Sequence, residues 1–402
     1  MNKAGRKMTS KEMLKFYSDN LFEEAMEKKK KGGLICWSSS VMCGEFFEAM
    51  DISVIYPENH AAIIGAKHYS TKFLEYAEKM GYDIGICSYA KINIAYTNML
   101  INDRENKILK ECPAPVIPLP DVIAVCNNIC SLLIKWYENL AKMLNVPFVL
   151  VDVPYIHDGE ISNSEVKYIL GQFENIKKTL EKLTGKAFNE KKLSELIKQR
   201  ELSAKAWGNV MKIAEKKNSP LNGFDLFNYM SLAVCASYKK EAQEVFEAFY
   251  KELEEKKEGN GENGVFWEGI ACWPYLSMTY KTLKNNSFKI TASTYPEMWN
   301  LKYSSLEEMA KAYAQVYTNT SLENKIKLIS KMGEERHCEA YVYHRNKSCK
   351  LMSFMIKETA EGVKKITGKP YIIFDGDQTD PGNFSRGQFE TKIQALSEMT
   401  EE

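Results

Sequence analysis

The chain is expected to be an α/β protein with two parallel-sheet domains of the Rossmann or flavodoxin-like type and a helical section between them. Three observations predict this. Short apolar runs alternate with amphipathic stretches up to about residue 160. Long 3.6-residue periodicity with few strand signals then dominates from Ser164 to about Lys257. From Val265 the strand–helix rhythm returns. Alternation at this spacing implies parallel strands with helices on both faces. The expected units are an N-terminal α/β domain with a leading helix (1–162), a helical region (163–262) and a C-terminal α/β domain (263–402).

The elements follow in order. Met13, Phe16, Tyr17, Leu21, Phe22 and Met26 form one face of a leading helix, which ends in the basic turn Met26–Gly32. Gly32–Trp37 is a buried strand, followed by Ser38, Ser39 and Ser40 and a helix through Phe46–Met50. Ser53–Pro57 is the next strand and Thr71–Met80 a helix. Gly81–Cys87 reads as a further strand leading into a helix through Ile92 and Tyr96. Pro113–Pro120 is proline-rich and extended. Asp121–Leu140 reads as a buried strand (Val122–Val125), a polar turn carrying Cys126 and Cys130, then an amphipathic helix. Pro147–Val151 is the last strand of the first block. Four helices follow (Val166–Leu183, Lys191–Lys217, Asp225–Lys239, Glu241–Glu255), then a loop at Lys257–Gly264. The last block has a strand and turn at Val265–Trp273 and strands at Phe288–Thr294, Glu339–His344 and Pro370–Asp377. Its helices are Leu306–Tyr317, Leu322–Met332, one ending near Lys365, and one that closes the chain. No repeat of solenoid or propeller length is evident.

Composition narrows the function classes. The chain has 402 residues, and its hydrophobic content of 45% is ordinary for a globular protein. Lys and Arg number 54 against 53 Asp and Glu, so no basic field recruits nucleic acid. No apolar run reaches the roughly 18 residues a membrane span needs. The first twenty residues lack the apolar core of a signal peptide, so a cytoplasmic protein is expected. In a reducing cytosol the ten cysteines are core residues, metal ligands or catalysts rather than disulfides.

Three cysteines share one structural address. Cys87, Cys130 and Cys349 each follow an expected strand and precede an expected helix. In open α/β sheets the ligand site lies outside the carboxyl ends of the strands. A helix N-terminus lowers a thiol's pKa and favours the thiolate a metal needs. Core filling is the other reading, because free cysteine is among the most buried residue types. There is no C-x2-C, which argues against zinc ribbons and bacterial ferredoxin runs, and the C-x3-C of Cys126 and Cys130 is a weak signal. Cys36, Cys43, Cys112, Cys235, Cys272 and Cys338 lie on apolar or helical stretches and suit core or neutral roles. Ser40 and Glu58 lie at the same sheet edge as the three cysteines. A serine there also serves as a helix N-cap, and a glutamate as a solvated first-turn residue. The five histidines lack any H-E-x-x-H or triad context. Neither G-x-G-x-x-G nor a P-loop is present, so this chain is expected to bind no nucleotide through either.

Several segments together resemble one family. They are CWSSS (36–40), VIYPENHAA (54–62), GYDIGICSYAK (81–91), CNNIC-x4-KWYE (126–138), NGFDLF (222–227), EGIACWP (268–274), YHRNKSCKLMS (343–353) and FDGDQTDPGNFSRGQFETKIQ (374–394). In order, and over nearly the whole chain, they resemble the cluster-binding, substrate-binding alpha subunit of the (R)-2-hydroxyacyl-CoA dehydratases. These are oxygen-sensitive enzymes of amino-acid-fermenting anaerobes, related to 2-hydroxyglutaryl-CoA dehydratase and benzoyl-CoA reductase, and the 2-hydroxyisocaproyl-CoA type is the nearest in pattern. This chain reads CWSSS where the family reads GWSTS, with the last serine kept.

The resemblance implies a specific chemistry. Cys87, Cys130 and Cys349 match the three ligands of one [4Fe-4S] cluster, whose fourth iron is left for the substrate carbonyl. Ser40 and Glu58 match the family's active-site serine and glutamate, Ser40 bonding the carbonyl oxygen and Glu58 handling a proton. A second subunit with its own cluster completes a heterodimer, and a separate iron–sulfur activator hydrolyses ATP and injects one electron. The implied reaction reduces the acyl-CoA thioester to a ketyl radical, expels the 2-hydroxyl, removes an acidified β-proton and returns the electron, leaving (E)-2-enoyl-CoA. A reductase subunit for an aromatic acyl-CoA and a non-catalytic electron-relay subunit are the alternatives. The pair Ser40 and Glu58 favours catalysis. The acyl group stays open among 2-hydroxyisocaproyl, 2-hydroxyglutaryl, phenyllactyl and lactyl.

Overall fold

The computed structural model describes residues 8–157, 159–256 and 261–401. Helix α1 (Ser10–Lys30) opens on a capping box between Thr9 and Glu12 and ends in Lys28, Lys29 and Lys30, a charge order that suits the helix dipole. The first sheet is built from β1 (Ile35–Ser38), β2 (Ser53–Ile55), β3 (Val122–Cys126) and β4 (Phe148–Val151). α2 (Gly44–Ala49) joins the first two strands. The crossover from β2 to β3 is long and holds α3 (Pro57–Ala66), α4 (Ser70–Lys79), α5 (Ser88–Asn102) and α6 (Lys107–Lys110). α7 (Ser131–Leu144) joins β3 to β4.

The middle section is helical: α8 (Asn163–Thr184), α9 (Glu190–Lys212), α10 (Gly223–Cys235) and α11 (Lys240–Glu255). α8 starts on a Ser162–Glu165 capping box and stops where Gly185 takes the left-handed conformation. The second sheet follows, with β5 (Asn263–Glu268), α12 (Leu276–Asn285), β6 (Phe288–Ala292), α13 (Thr294–Glu297), α14 (Leu306–Ala314) and α15 (Leu322–Glu335). Then come β7 (Cys338–Asn346), α16 (Lys350–Ser353), α17 (Ile356–Thr367), β8 (Tyr371–Gly376) and α18 (Arg386–Glu401).

Both sheets are parallel and have the same strand order, β2-β1-β3-β4 and β6-β5-β7-β8. No sequence repeat announces this shared topology. Strand alternation divides the cores. Val122, Ala124 and Cys126 face one large core, and Ile123 and Val125 face a second on the other side of the sheet. In the second sheet Val265, Trp267, Ala340 and Val342 join the same large core, whereas Phe266, Tyr341 and Tyr343 face a third. One face of each sheet and the middle helices therefore share a single interior. Burial on both faces explains why these strands read as continuous apolar runs.

Two sequence expectations need correction. Gly81–Cys87 forms no strand but a series of turns, with Gly81 at φ 94°. A helix, α3, occupies Pro57–Ala66 where the sequence suggested only a first turn; Pro57 sits at its start, where a missing N–H costs nothing. Of the loop expected at Lys257–Gly264, residues 257–260 lie outside the described residues, and Asn263 and Gly264 already belong to β5.

Candidate functional site

The carboxyl ends of the two sheets meet at a cavity of about 400 Å³. Its walls come from the segments following β2, β3, β5, β6, β7 and β8, including Glu58, Cys130, Ile270, Tyr295, Cys349 and Gln378, together with Cys87. The strand order changes direction between β1 and β3 and again between β5 and β7. These are the switch points where open sheets leave a crevice.

Cys87, Cys130 and Cys349 all line this cavity, and each is the N-cap residue of a helix, α5, α7 and α16 respectively. Backbone N–H groups of the first turns approach the sulfurs: Tyr89 and Ala90 at Cys87, Leu132 and Leu133 at Cys130, Met352 at Cys349. These contacts favour thiolate, as expected for helix starts. Burial outweighs them. It pushes all three thiols up, Cys349 to about 12. Each of Cys87 and Cys349 is raised further by a neighbouring thiol, Cys349 acting on Cys87 and Cys130 on Cys349. Desolvation therefore opposes the thiolate more than the helix N-termini favour it.

Hydrogen bonds knit Cys87 to the second domain. Gln378 Nε2 donates to Cys87 Sγ at 3.3 Å. Ser88 Oγ donates to Asp377 Oδ1 at 2.6 Å, and Ser348 N donates to Asp377 Oδ2 at 3.2 Å. Thr379 N and Asp380 N add bonds of 2.9 and 3.0 Å to the same carboxylate. Buried Asp377 thus holds together the residues next to Cys87 and Cys349. Gly65 lets α3 press on this loop, since a Cβ there would lie 2.5 Å from Thr379 Cγ2.

Glu58 sits in the first turn of α3. Its Oε1 accepts from Ser40 N at 2.8 Å, and Tyr137 OH lies 3.5 Å away. Burial lifts its carboxyl to about 7, although bonds from the Ser40 backbone, the Ser40 hydroxyl and Tyr137 pull it down. A carboxyl poised near neutrality can accept or donate a proton at physiological pH. Ser40 thus leans on Glu58, and it lines an adjoining chamber of about 190 Å³ rather than the cysteine cavity. Glu58, Tyr89, Tyr295 and Trp299 line both spaces. Tyr89 accepts a hydrogen bond from Trp273 Nε1 and pairs with Tyr295.

Cys126 is fully buried at the end of β3, facing the shared core, and is separate from Cys130. Cys36, Cys43, Cys235, Cys272 and Cys338 are also buried, and Cys112 is half-buried away from the cavity. His60 and His344 are buried on main-chain carbonyls, of Pro115 (2.8 Å) and Ile270 (2.6 Å). Sequence reasoning gave no role to Tyr137, Tyr89, Tyr295, Asp377 or Gln378. Tyr89, Tyr137, Asp377 and Gln378 lie inside the segments that carry the resemblance, Tyr137 also falling two helical turns after Cys130 on the buried face of α7, whereas Tyr295 carried no signal.

Among the described residues no three His, Cys, Asp or Glu side chains close on one point as ligands of a single ion would. The three thiols share the lining of one cavity. The all-sulfur donor set and the N–H groups directed at those sulfurs are of the kind an iron–sulfur cluster uses.

A family model described as 2-hydroxyglutaryl-CoA dehydratase, D-component, matches residues 39–400. The chain is 42% identical to lactoyl-CoA dehydratase subunit alpha of Anaerotignum propionicum, over 98% of this chain and 97% of that one. It is 39% identical to the (R)-2-hydroxyisocaproyl-CoA dehydratase alpha subunit of Clostridioides difficile, over 95% of this chain and 93% of that one. It is 38% identical to the (R)-phenyllactyl-CoA dehydratase alpha subunit of Clostridium sporogenes, over 99% and 97%.

Proposed function

The chain belongs to the 2-hydroxyglutaryl-CoA dehydratase D-component family, and on that premise we propose that it is the iron–sulfur, substrate-binding subunit of a dehydratase that converts (R)-2-hydroxyacyl-CoA to (E)-2-enoyl-CoA. One observation carries the reading. Cys87, Cys130 and Cys349, from both domains, line one cavity together with a carboxyl raised to about 7.

These three cysteines would hold a [4Fe-4S] cluster with one iron free of protein ligands. When bound, the cluster would supply low-potential one-electron transfer and a Lewis acid for the thioester carbonyl. This chain's residues do the rest. The apolar walls of the cavity, Leu133, Trp136 and Met298 among them, exclude water from a strongly reducing centre. Asp377 and Gln378 keep Cys87 and Cys349 in register across the domain boundary.

Glu58 takes the proton from the β-carbon. An unactivated β C–H is far too weak an acid for a carboxylate. One-electron reduction of the thioester and loss of the 2-hydroxyl leave a radical whose β C–H is acidic enough for a base near pH 7. The hydroxyl leaves with a proton as water, and the electron is returned once the double bond forms. Ser40 and Tyr137 hold the carboxylate of Glu58 in place, making Ser40 a positioning residue for the base. The assembly would include a second subunit with its own cluster, since the relatives are named as alpha subunits, and an ATP-hydrolysing iron–sulfur activator. No helix among the described residues is long and apolar enough to cross a membrane.

The test is anaerobic purification with iron and sulfide analysis, then assay of hydroxyacyl-CoA thioesters with activator and ATP. About four irons per chain, lost in air, are expected together with enoyl-CoA formation. Zinc, or no metal, would overturn the cluster.

A further inference from the structure

We infer that the substrate carries an uncharged, apolar acyl side chain, and that this side chain lies in the chamber between α3 and α10 on the far side of Glu58 from the three cysteines. The inference rests on the dehydratase reading and narrows its substrate. That reading sets the order of atoms along the ligand. The thioester carbonyl lies on the cysteine side, the β-carbon lies at Glu58, and whatever follows the β-carbon passes into the next space. The space that shares Glu58 with the cysteine cavity is the 190 Å³ chamber walled by Ala62 and Ile63 of α3 and by Phe227, Met230 and Val234 of α10.

The chamber's chemistry selects the ligand. Among the described residues no Lys, Arg or His lines it. Two of its polar groups are committed to their own helix: Asn228 Nδ2 donates to Phe224 O at 3.1 Å, and Ser231 Oγ donates to Asn228 O at 3.0 Å, and Asn59 of α3 is an uncharged amide. In the cysteine cavity the one lining cation among the described residues is Lys350, which is exposed and bonded to Lys347 O at 2.6 Å. Lys325 is paired with Glu268 at 3.0 Å. A side-chain carboxylate would therefore lose its water, meet no cation and approach Glu58, a group of its own sign. Burial of an unpaired charge is strongly unfavourable. An aliphatic or aromatic group instead gains apolar contact with both helices. Of the four acyl groups left open by the sequence, 2-hydroxyglutaryl is excluded.

The experiment uses the assembled dehydratase with activator and ATP, and compares kcat/KM for lactyl, 2-hydroxyisocaproyl, phenyllactyl and 2-hydroxyglutaryl thioesters. Equilibrium binding of the matching enoyl thioesters is measured separately, without turnover. The 2-hydroxyglutaryl thioester is expected to be about 100-fold or more poorer than the 2-hydroxyisocaproyl one. Two variants locate the effect. Ala66 is an exposed lining residue, so Ala66→Arg adds a cation without burying one in the core, and should narrow the gap about tenfold or more. Ile63→Phe should raise KM for the 2-hydroxyisocaproyl thioester more than for the lactyl one. Equal turnover or binding of the dicarboxylic thioester, or no change in either ratio in the two folded variants, would overturn the inference. If no thioester is dehydrated yet the uncharged enoyl thioesters bind far more tightly than the dicarboxylic one, the dehydratase reading falls and the side-chain selection stands.

Discussion

In both α/β domains the third strand in sequence, β3 or β7, runs into a turn whose cysteine starts a helix: Cys130 before α7 and Cys349 before α16. At this position the two domains are alike. They part at the crossover after the second strand. In the first domain that connection carries Glu58 at the start of α3 and Cys87 at the start of α5. In the second it carries Tyr295, Met298 and Trp299, which wall the cavity and offer no carboxylate to it. A shared sheet order thus sets two cysteines opposite each other. The unequal crossovers then put a carboxyl and a third thiol on one side and an uncharged wall on the other. Function in open sheets is added in loops at the strand ends, and the scaffold can stay the same.

The largest effects should come from the matched cysteines. If the proposed cluster is held as described, Cys130→Ala and Cys349→Ala should each take iron from about four per chain towards zero and abolish activity. If only one of them loses iron, the equivalence of the two turns fails. On the proposed mechanism Glu58→Gln should keep its iron while kcat drops about 10²- to 10⁴-fold, because it would remove the proton acceptor without touching a thiol. In the parent enzyme kcat should rise with pH through about 7 as that carboxyl ionises. A flat profile would assign the proton elsewhere.

Asp377→Ala tests whether the domains are held together at the site. It strands the donors of Ser88, Ser348 and Thr379 in a buried place, and should cost about 2–4 kcal/mol and lower iron occupancy. Denaturant unfolding and iron analysis check both. A smaller effect concerns Glu58 in cluster-free protein. Folding raises its carboxyl from about 4.3 to about 7. The stability tied to its protonated form is full below the unfolded value and is lost as pH rises through 7. Glu58→Gln should therefore gain roughly 1–3 kcal/mol on the parent at pH 8 and little at pH 4, read from melts at both values. The smallest change is Gly65→Ala, where a methyl meets Thr379 Cγ2; a cost of about 1–2 kcal/mol is expected from urea unfolding.

Much of the fold was legible because burial on both faces makes parallel strands read as apolar runs. The four middle helices and all eight observed strands fall on segments picked out by periodicity. The false strand at Gly81–Cys87 shows the limit. Ile84 and Ile86 suggest alternation, yet Ile84 is 69% exposed, and no neighbouring strand pairs with the segment. Strand pairing is not local, so pattern alone cannot exclude it. α3 went unread because Pro57 and Asn59 look like loop residues, whereas proline at the first position of a helix is favourable.

Residue types and their spacing along the chain determined the two α/β blocks, the helical section between them and the three cysteines at helix starts, and family motifs gave those cysteines, Ser40 and Glu58 their expected roles. Tertiary structure alone decided which groups meet. It brought Cys349 to Cys87 through Asp377, desolvated the half-buried Glu58 until its carboxyl reached about 7, turned Ser40 towards that carboxyl, and outweighed the helix N-termini at the thiols. The physical reason is common to all four. Propensity and periodicity act over a few residues, whereas desolvation and long-range hydrogen bonds depend on what the rest of the chain packs around a group.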